Sequence, residues 1–221
     1  MFKIKFRLIN ILNTKEKMLK GTSLFILISA LGLFSCSNDP IDDLSTEESL
    51  VYITNQDKTA DYKQYKTFSI VDSVLVVENN QSGTALTEID RTLLSRIITN
   101  MQNLGYKYVA PGAKPDVGIN AAWVTNTQLN VVSQPSYYGN YWGGGGFGGY
   151  GYGYPSYYQY YETSESYWLI SMVDFKNPNT ADKTFKVIWD AQIRGSGIGS
   201  TNYVDQMVDS IFSQSAYLKN K

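Results

Sequence analysis

The chain has 221 residues, with 19 Lys or Arg against 20 Asp or Glu, a single Cys, no His, and 18 Tyr beside 18 Gly. Without histidine, Ser-His-Asp and Cys-His catalysis, His-ligated zinc and the commonest general base at neutral pH are excluded. A lone cysteine has no disulfide partner within the chain, and a formal charge of −1 provides no basic field for nucleic acid.

The first element is a targeting segment. Leu24 to Phe34 is an apolar run behind Lys20, long enough for a signal-peptide core and too short to span a bilayer. It closes in Leu33-Phe34-Ser35-Cys36, which resembles the lipobox of bacterial lipoproteins. Leu33 is the aliphatic residue, Ser35 the small one, and Cys36 the residue that is lipidated and becomes the mature N-terminus. Phe34 departs from the small or hydroxylated residue usual at its position. The plainer reading, a buried thiol, fits poorly with the polar neighbours Ser37, Asn38 and Asp39. A lipidated Cys36 is unavailable as a nucleophile or metal ligand. Its three acyl chains would anchor firmly where one chain binds only marginally.

A start at Met18 gives a short basic n-region, Met-Leu-Lys, so Met18 is the expected start. In either case residues 1–35 are expected to be absent from the mature protein. Their loss removes six Lys or Arg and one Glu, leaving 13 basic and 19 acidic residues and a formal charge of −6. Electrostatic adhesion to an anionic leaflet is then unfavourable, and the acyl chains are the expected anchor. Ser37, where an Asp would resemble an inner-membrane retention signal, points to the outer membrane facing the periplasm. Asp39, Asp42 and Asp43 are a loose version of the acidic signal that accompanies surface exposure.

Residues 36–48 form the lipidated cysteine and an acidic, Pro40-containing tether. Residues 49–221 are expected to be a single domain, large enough for a core without staples. Leu50–Thr54 and Lys66–Val71 read as short strands around a turn at Asn55–Lys58. From Thr87 the pattern changes. Ile89, Leu93, Leu94, Ile97, Ile98, Met101 and Leu104 share one helical stripe, with Thr87 as cap, Glu88 and Asp90 in the first turn and Gly105 as stop.

After Pro111-Gly112, the alternation of Val117, Ile119, Ala121 and Trp123 predicts a strand. Ser164–Asp174 predicts another, apolar on both faces and buried on both sides or nearly so. Asn177-Pro178-Asn179 is the expected turn. Phe185, Val187, Trp189, Ala191 and Ile193 then alternate with polar residues in a third strand, which closes an antiparallel hairpin. Val204, Met207, Val208, Ile211 and Phe212 predict a C-terminal amphipathic helix. Two such helices need a sheet to cover, so the expected fold is α+β: a two-layer sandwich of about five mostly antiparallel strands under two helices.

Candidate chemistry is sparse. Asp174 and Asp190 lie near the predicted hairpin, although Asp174 precedes a turn, where Asp usually binds backbone N–H groups. Asn177, Asn179 and Asp182 lack the glycine and terminal Glu of an EF-hand. Gly195-Ser196-Gly197-Ile198-Gly199-Ser200 between a strand and a helix could cradle a phosphate beside Arg194. It lacks the Gly-Lys-Ser/Thr of a P-loop and reads better as a flexible connector with a helix cap.

The Gly/Tyr-rich loop, residues 136–161, belongs to a charge-free stretch running from Val117 to Tyr161. The overlapping G-x-G-x-x-G patterns within it are a product of composition, since no strand precedes them and no helix follows. Its candidate contact residues are Tyr137, Tyr138, Tyr141, Trp142, Phe147, Tyr150, Tyr152, Tyr154, Tyr157 and Tyr158. Glycine makes an ordered backbone entropically expensive, while tyrosine offers contact area at low side-chain entropy. Three readings compete: an exposed connecting loop, a surface for a protein or glycan partner, and aromatics at the lipid headgroup level.

Asp61-Tyr62-Lys63-Gln64-Tyr65-Lys66-Thr67-Phe68, Asn103-Leu104-Gly105-Tyr106, Lys114-Pro115-Asp116-Val117, Val173-Asp174 and Val187-Ile188-Trp189 together resemble the bacterial lipoprotein family of domain-of-unknown-function 4136, over roughly residues 48 to 218. The resemblance implies an envelope lipoprotein with an α+β domain and brings no catalytic or ligand-binding residues with it. The expectation is a non-catalytic structural or binding component of the envelope, with no cofactor and no metal. The alternative is an enzyme or anion-binding protein using Asp174, Asp190 or Arg194.

Overall fold

The strongest two-residue alternations in the chain build the middle of a sheet. In the computed structural model, which describes residues 45–46, 48–78, 81–125, 130–133, 158–161, 166–181 and 184–220, β9 (Ser166–Asn179) and β10 (Thr184–Arg194) form an antiparallel hairpin. β6 (Val117–Thr125) lies antiparallel along the other side of β9, in register from Val117↔Asp174 to Thr125↔Ser166. As expected, β9 is buried on both faces, from Tyr167 to Asp174. The turn falls at Thr180–Ala181, beyond the expected Asn177-Pro178-Asn179. Pro178 is tolerated inside β9 because the register jumps from Thr184↔Asn179 to Lys186↔Asp174, a bulge in which no ladder N–H is required of it.

β1 (Val51–Gln56) completes this side, antiparallel to β10. On the other side the expectation of five mostly antiparallel strands is corrected: the described residues form an eight-stranded, partly parallel sheet. β2 (Thr67–Ile70) and β3 (Val74–Glu78) run one after the other along β6, both parallel to it. β4 (Gln81–Ala85) folds back antiparallel on β3, and β5 (Lys107–Tyr108) lies parallel to β2. The parallel pairing follows from helix α1 (Glu88–Asn103) between β4 and β5. β4 reverses the chain and α1 carries it back, so that β5 and β6 enter the sheet in the direction of β2 and β3. A separate two-stranded sheet joins β7 (Asn130–Ser133) to β8 (Tyr158–Tyr161).

Thr87 and Asp90 close a capping box on α1, the Asp90 carboxylate accepting from Thr87 N at 2.6 Å. Gly105, with φ 101°, ends the helix. Helix α2 (Val204–Gln214) follows a 3-10 turn that Ser200 caps through Asn202 N. The helices pack side by side. Their join is the paired hydrogen bonds from Arg96 to the Asp209 carboxylate, with Asn100 Nδ2 donating to the same group at 2.8 Å. Arg96 holds the Asp209 carboxyl below its usual range.

α2 covers the sheet face that carries Ile119, Ile170, Met172, Trp189 and Ile193. The Phe212 ring lies 5.5 Å from Trp189, and the Trp189 indole donates to Ser215 Oγ at 3.0 Å. The opposite face is also buried at its centre, yet it carries a row of polar side chains, among them Asn120, Ser171 and Asp190.

One titrating clamp fixes the end of β1. Asp57 pairs with Lys186 of β10 and accepts from Thr59 N and Oγ1 at 2.8 and 2.7 Å. The bond to Lys186 first, then Thr59, lowers the Asp57 carboxyl to about 2. Because the folded value lies below the unfolded one, its contribution is complete above the unfolded value and disappears as pH falls through the folded one. Stability should therefore decline on acidification from about pH 4 toward 2, and Asp57→Asn should flatten that part of the Tm-against-pH curve.

Candidate functional site

Each short motif singled out in the sequence makes a specific contact. Asp61 starts a 3-10 turn, Tyr62–Gln64, by accepting from Lys63 N at 3.1 Å. The turn directs Tyr62 and Tyr65 inward. Tyr62 Oη donates to Ile188 O at 2.5 Å and Tyr65 Oη to Asp174 Oδ2 at 2.7 Å. Burial raises both phenols, and the carboxylate raises Tyr65 further.

Asp174 is 5% exposed. Besides Tyr65 it accepts from Lys176 N, Asn177 N and Asn177 Nδ2, each at 2.9 Å. Four donors fill the acceptor sites of a carboxylate.

Asp116, of the Lys-Pro-Asp motif, ties three strands together. Its carboxylate accepts from Lys66 N at 2.6 Å and Thr67 N at 2.9 Å, and its own N–H returns to Thr67 Oγ1 at 2.9 Å. Its carbonyl accepts from Phe175 N and Lys176 N of β9 at 3.0 and 3.1 Å. Tyr106, after Gly105, donates to Leu218 O at 2.9 Å and fixes the C-terminal segment. Sequence reasoning noted these residues as a family pattern and gave them no role. Tyrosine, aspartate and threonine flanking strand ends are the signal for such cross-links.

Asp190 lies on the other face of the sheet. The strand registers align Asn120, Ser171, Asp190 and Asn55 across β6, β9, β10 and β1. Asn55 Nδ2 donates to Asp190 Oδ1 at 2.9 Å, and Asn120, Ser171 and Asp190 are buried. Gln192 and Arg194 continue the same face. Arg194 donates to Gln192 Oε1 from Nε and Nη2 at 3.3 and 3.1 Å, and its guanidinium stands 4.7 Å from the Tyr167 ring centre.

Since Asp190 pairs with Ser171, three residues from Asp174 along regular strand, the two candidate carboxylates project from opposite faces. The sheet stands between them, whereas paired-carboxylate hydrolysis needs both in one cleft, flanking the same bond. Among the described residues, no three His, Cys, Asp or Glu gather as a metal site.

The glycine loop after β10 contacts its own chain. Gly195 has φ 116°, and a Cβ there would lie 2.2 Å from Ser49 O. Ser196 N donates to Ser49 Oγ at 3.2 Å, and Trp168 Nε1 donates to Ile198 O at 2.8 Å. Ser200 caps the 3-10 turn that leads into α2, and α2 itself starts after Tyr203 without the expected side-chain cap. The glycine at 195 serves a backbone-to-backbone approach rather than slack.

A hollow of about 300 Å³ at one end of the sheet is lined by Lys114, Pro115, Asp116, Phe175, Lys176, Pro178 and Phe185. Lys114 adopts φ 52° there. Lys176 Nζ donates to Gln64 O at 2.6 Å and lies 3.8 Å from Asp116. Cys36 and the candidate contact residues from Tyr137 to Tyr157 lie outside the described residues. Tyr158 opens β8.

These observations define a class: a mixed α/β domain with an open sheet and two helices among its described residues, whose motif residues bind one strand or helix to another. The chain belongs to the DUF4136 family, a domain of unknown function, whose model matches residues 53–215. The structure is similar to the crystal structure of a DUF4136 family protein from Bacteroides thetaiotaomicron. That protein is 25% identical, with 78% of this chain and 99% of that one covered and a TM-score of 0.61. The PelC dodecamer from Paraburkholderia phytofirmans is 8% identical, with 78% and 99% covered and a TM-score of 0.40. A PDZ domain protein from Parabacteroides distasonis is 13% identical, with 76% and 36% covered and a TM-score of 0.39. None of the curated proteins matches.

Proposed function

We propose that the protein is a lipid-anchored envelope component that binds or supports rather than catalyses. The two-layer α+β domain is tethered through Cys36 to the outer membrane and faces the periplasm. The observation that carries this reading is where the candidate carboxylates bond. Asp174 holds Tyr65 and its own turn, Asp190 binds Asn55, and the two face opposite ways across the sheet. The anchor rests on Leu33-Phe34-Ser35-Cys36. The Gly/Tyr stretch from Tyr137 to Tyr158 offers aromatic area for a protein or glycan partner. In the sequence it follows β7 and runs into β8, two strands that pair with each other.

Metabolic labelling with radioactive palmitate, followed by membrane fractionation, tests the anchor. The wild type should carry label in the outer-membrane fraction and Cys36→Ser should carry none; an unlabelled wild type refutes the anchor. Deleting residues 137–157 tests the contact surface. The circular dichroism spectrum and melting should survive while capture of envelope protein or glycan is lost, and undiminished capture contradicts that role.

A further inference from the structure

The sheet ends on one side at β1, Val51-Tyr52-Ile53-Thr54-Asn55-Gln56, which pairs with β10 alone. Asp57 N donates to Ile188 O at 2.8 Å, so Asp57 and Ile188 form a hydrogen-bonded pair. Such pairs alternate along an antiparallel ladder. The N–H and C=O groups of Val51, Ile53 and Asn55 therefore turn inward to β10, and those of Tyr52, Thr54 and Gln56 turn outward. Among the described residues nothing pairs with this outer edge.

Edge strands are normally guarded by proline, lysine, a bulge or brevity. β5 is two residues long and begins with Lys107, and β4 is short and polar with Gly83 inside it. β1 has six residues, no charge, no proline and an unbroken register. It also exposes Val51 by 51% and Ile53 by 40%, next to each other on the face away from the helices.

We infer that β1 is a self-association edge, joining two copies of this chain through an antiparallel β1–β1 pair. The strand is self-complementary in one register. Centred on Ile53, the two copies set Ile53 against Ile53 in a non-hydrogen-bonded pair, where side chains approach most closely. Tyr52 and Thr54 then exchange outward backbone bonds, and Val51 meets Asn55. The flanking charges agree. Glu48 precedes the strand and Lys58 follows it, so reversal brings each acid toward the other copy's base. Shifting the centre to Thr54 would put Val51 opposite Asp57. A second copy is the favoured occupant because an uncharged strand with opposite charges at its two ends is its own complement when reversed.

The full-length chain, purified in detergent, tests this by disulfide trapping and sedimentation velocity. In a Cys36→Ser background, Ile53→Cys should cross-link to a dimer under mild oxidation, because a non-hydrogen-bonded pair has the separation a disulfide requires. Val51→Cys alone should not, whereas Val51→Cys with Asn55→Cys should. Ile53→Lys in the wild-type background should weaken dimerisation at least tenfold while leaving Tm nearly unchanged. A wild type that sediments as a monomer with no Ile53→Cys cross-link overturns the inference. So does a dimer that Ile53→Lys leaves intact, since that would place the interface elsewhere.

Discussion

Replacing Trp189 by alanine should lower the free energy of unfolding by about 3–5 kcal/mol, seen as a lower urea midpoint with an unchanged slope. The side chain is 1% exposed, and its ring lies 5.5 Å from Phe212 of α2. Its Nε1 donates to Ser215 Oγ at 3.0 Å, and Ser215 is itself fully buried. Truncation thus opens a cavity where sheet meets helix and leaves the Ser215 hydroxyl with the longer bond from Tyr217 Oη at 3.4 Å. For a domain whose total stability is about 5–15 kcal/mol, that loss is a large share. Trp189→Phe separates the two effects. It keeps most of the ring contact and should lose about 0.5–1.5 kcal/mol, the net worth of one hydrogen bond. Equal losses for both variants would mean that the hydrogen bond, not the packing, carries the position.

Trp189 was legible in the sequence because Trp189, Ala191 and Ile193 alternate with Asp190 and Gln192, whereas the register shift between Val187 and Trp189, which puts Val187 on the opposite face, leaves no local mark. The two helices were legible for a similar reason, since their apolar stripes and caps are local. The β3–β4 hairpin and β5 were not. Val74-Leu75-Val76-Val77 is a continuous aliphatic run before the turn-forming Asn79-Asn80, a hairpin signal without the alternation that marks a half-buried strand. Its lack of alternation reflects burial beside β6: Val74, Leu75 and Val77 are all covered. The parallel pairing was implicit in the order of strand, helix and strand, but a parallel neighbour leaves no mark on either strand by itself. β5 has only two residues, too few for any periodicity.

The candidate site divides in the same way. That Asp174 binds its own turn was readable, because Asp before Lys-Asn-Pro has local N–H groups within reach, and it accepts from Lys176 N and Asn177 N. That Tyr65 fills its last acceptor site was not, as the two residues are 109 positions apart. The opposite orientation of Asp174 and Asp190 depends on strand register, which no single strand specifies. The polar row from Asn120 to Asn55 likewise exists only once β6, β9, β10 and β1 are aligned.

Gly195→Ala decides between two readings of the loop after β10, and it should destabilise the domain markedly. A flexible connector would tolerate the methyl group, and removing a glycine would then stabilise by about 0.4–1 kcal/mol through the unfolded chain. The geometry argues the reverse. At φ 116° an L side chain is strained, and the added Cβ would stand 2.2 Å from Ser49 O and 2.8 Å from its carbonyl carbon. Both are backbone atoms and cannot turn aside, so Ser49 and Leu50 must move. Leu50 is a core residue, and Ser49 bonds to Ser196 through its hydroxyl. Backbone strain of this kind amounts to about 1–3 kcal/mol, with the lost docking of Ser49 and Leu50 added to it. Gly83→Ala is the control: a Cβ there meets nothing within 4 Å, so its urea midpoint should stay near that of the wild type. In Gly195→Ala the midpoint should fall, and limited proteolysis should cut between Ser45 and Leu50, where the wild type resists. An unchanged midpoint in both variants would return the loop to the role of a slack connector.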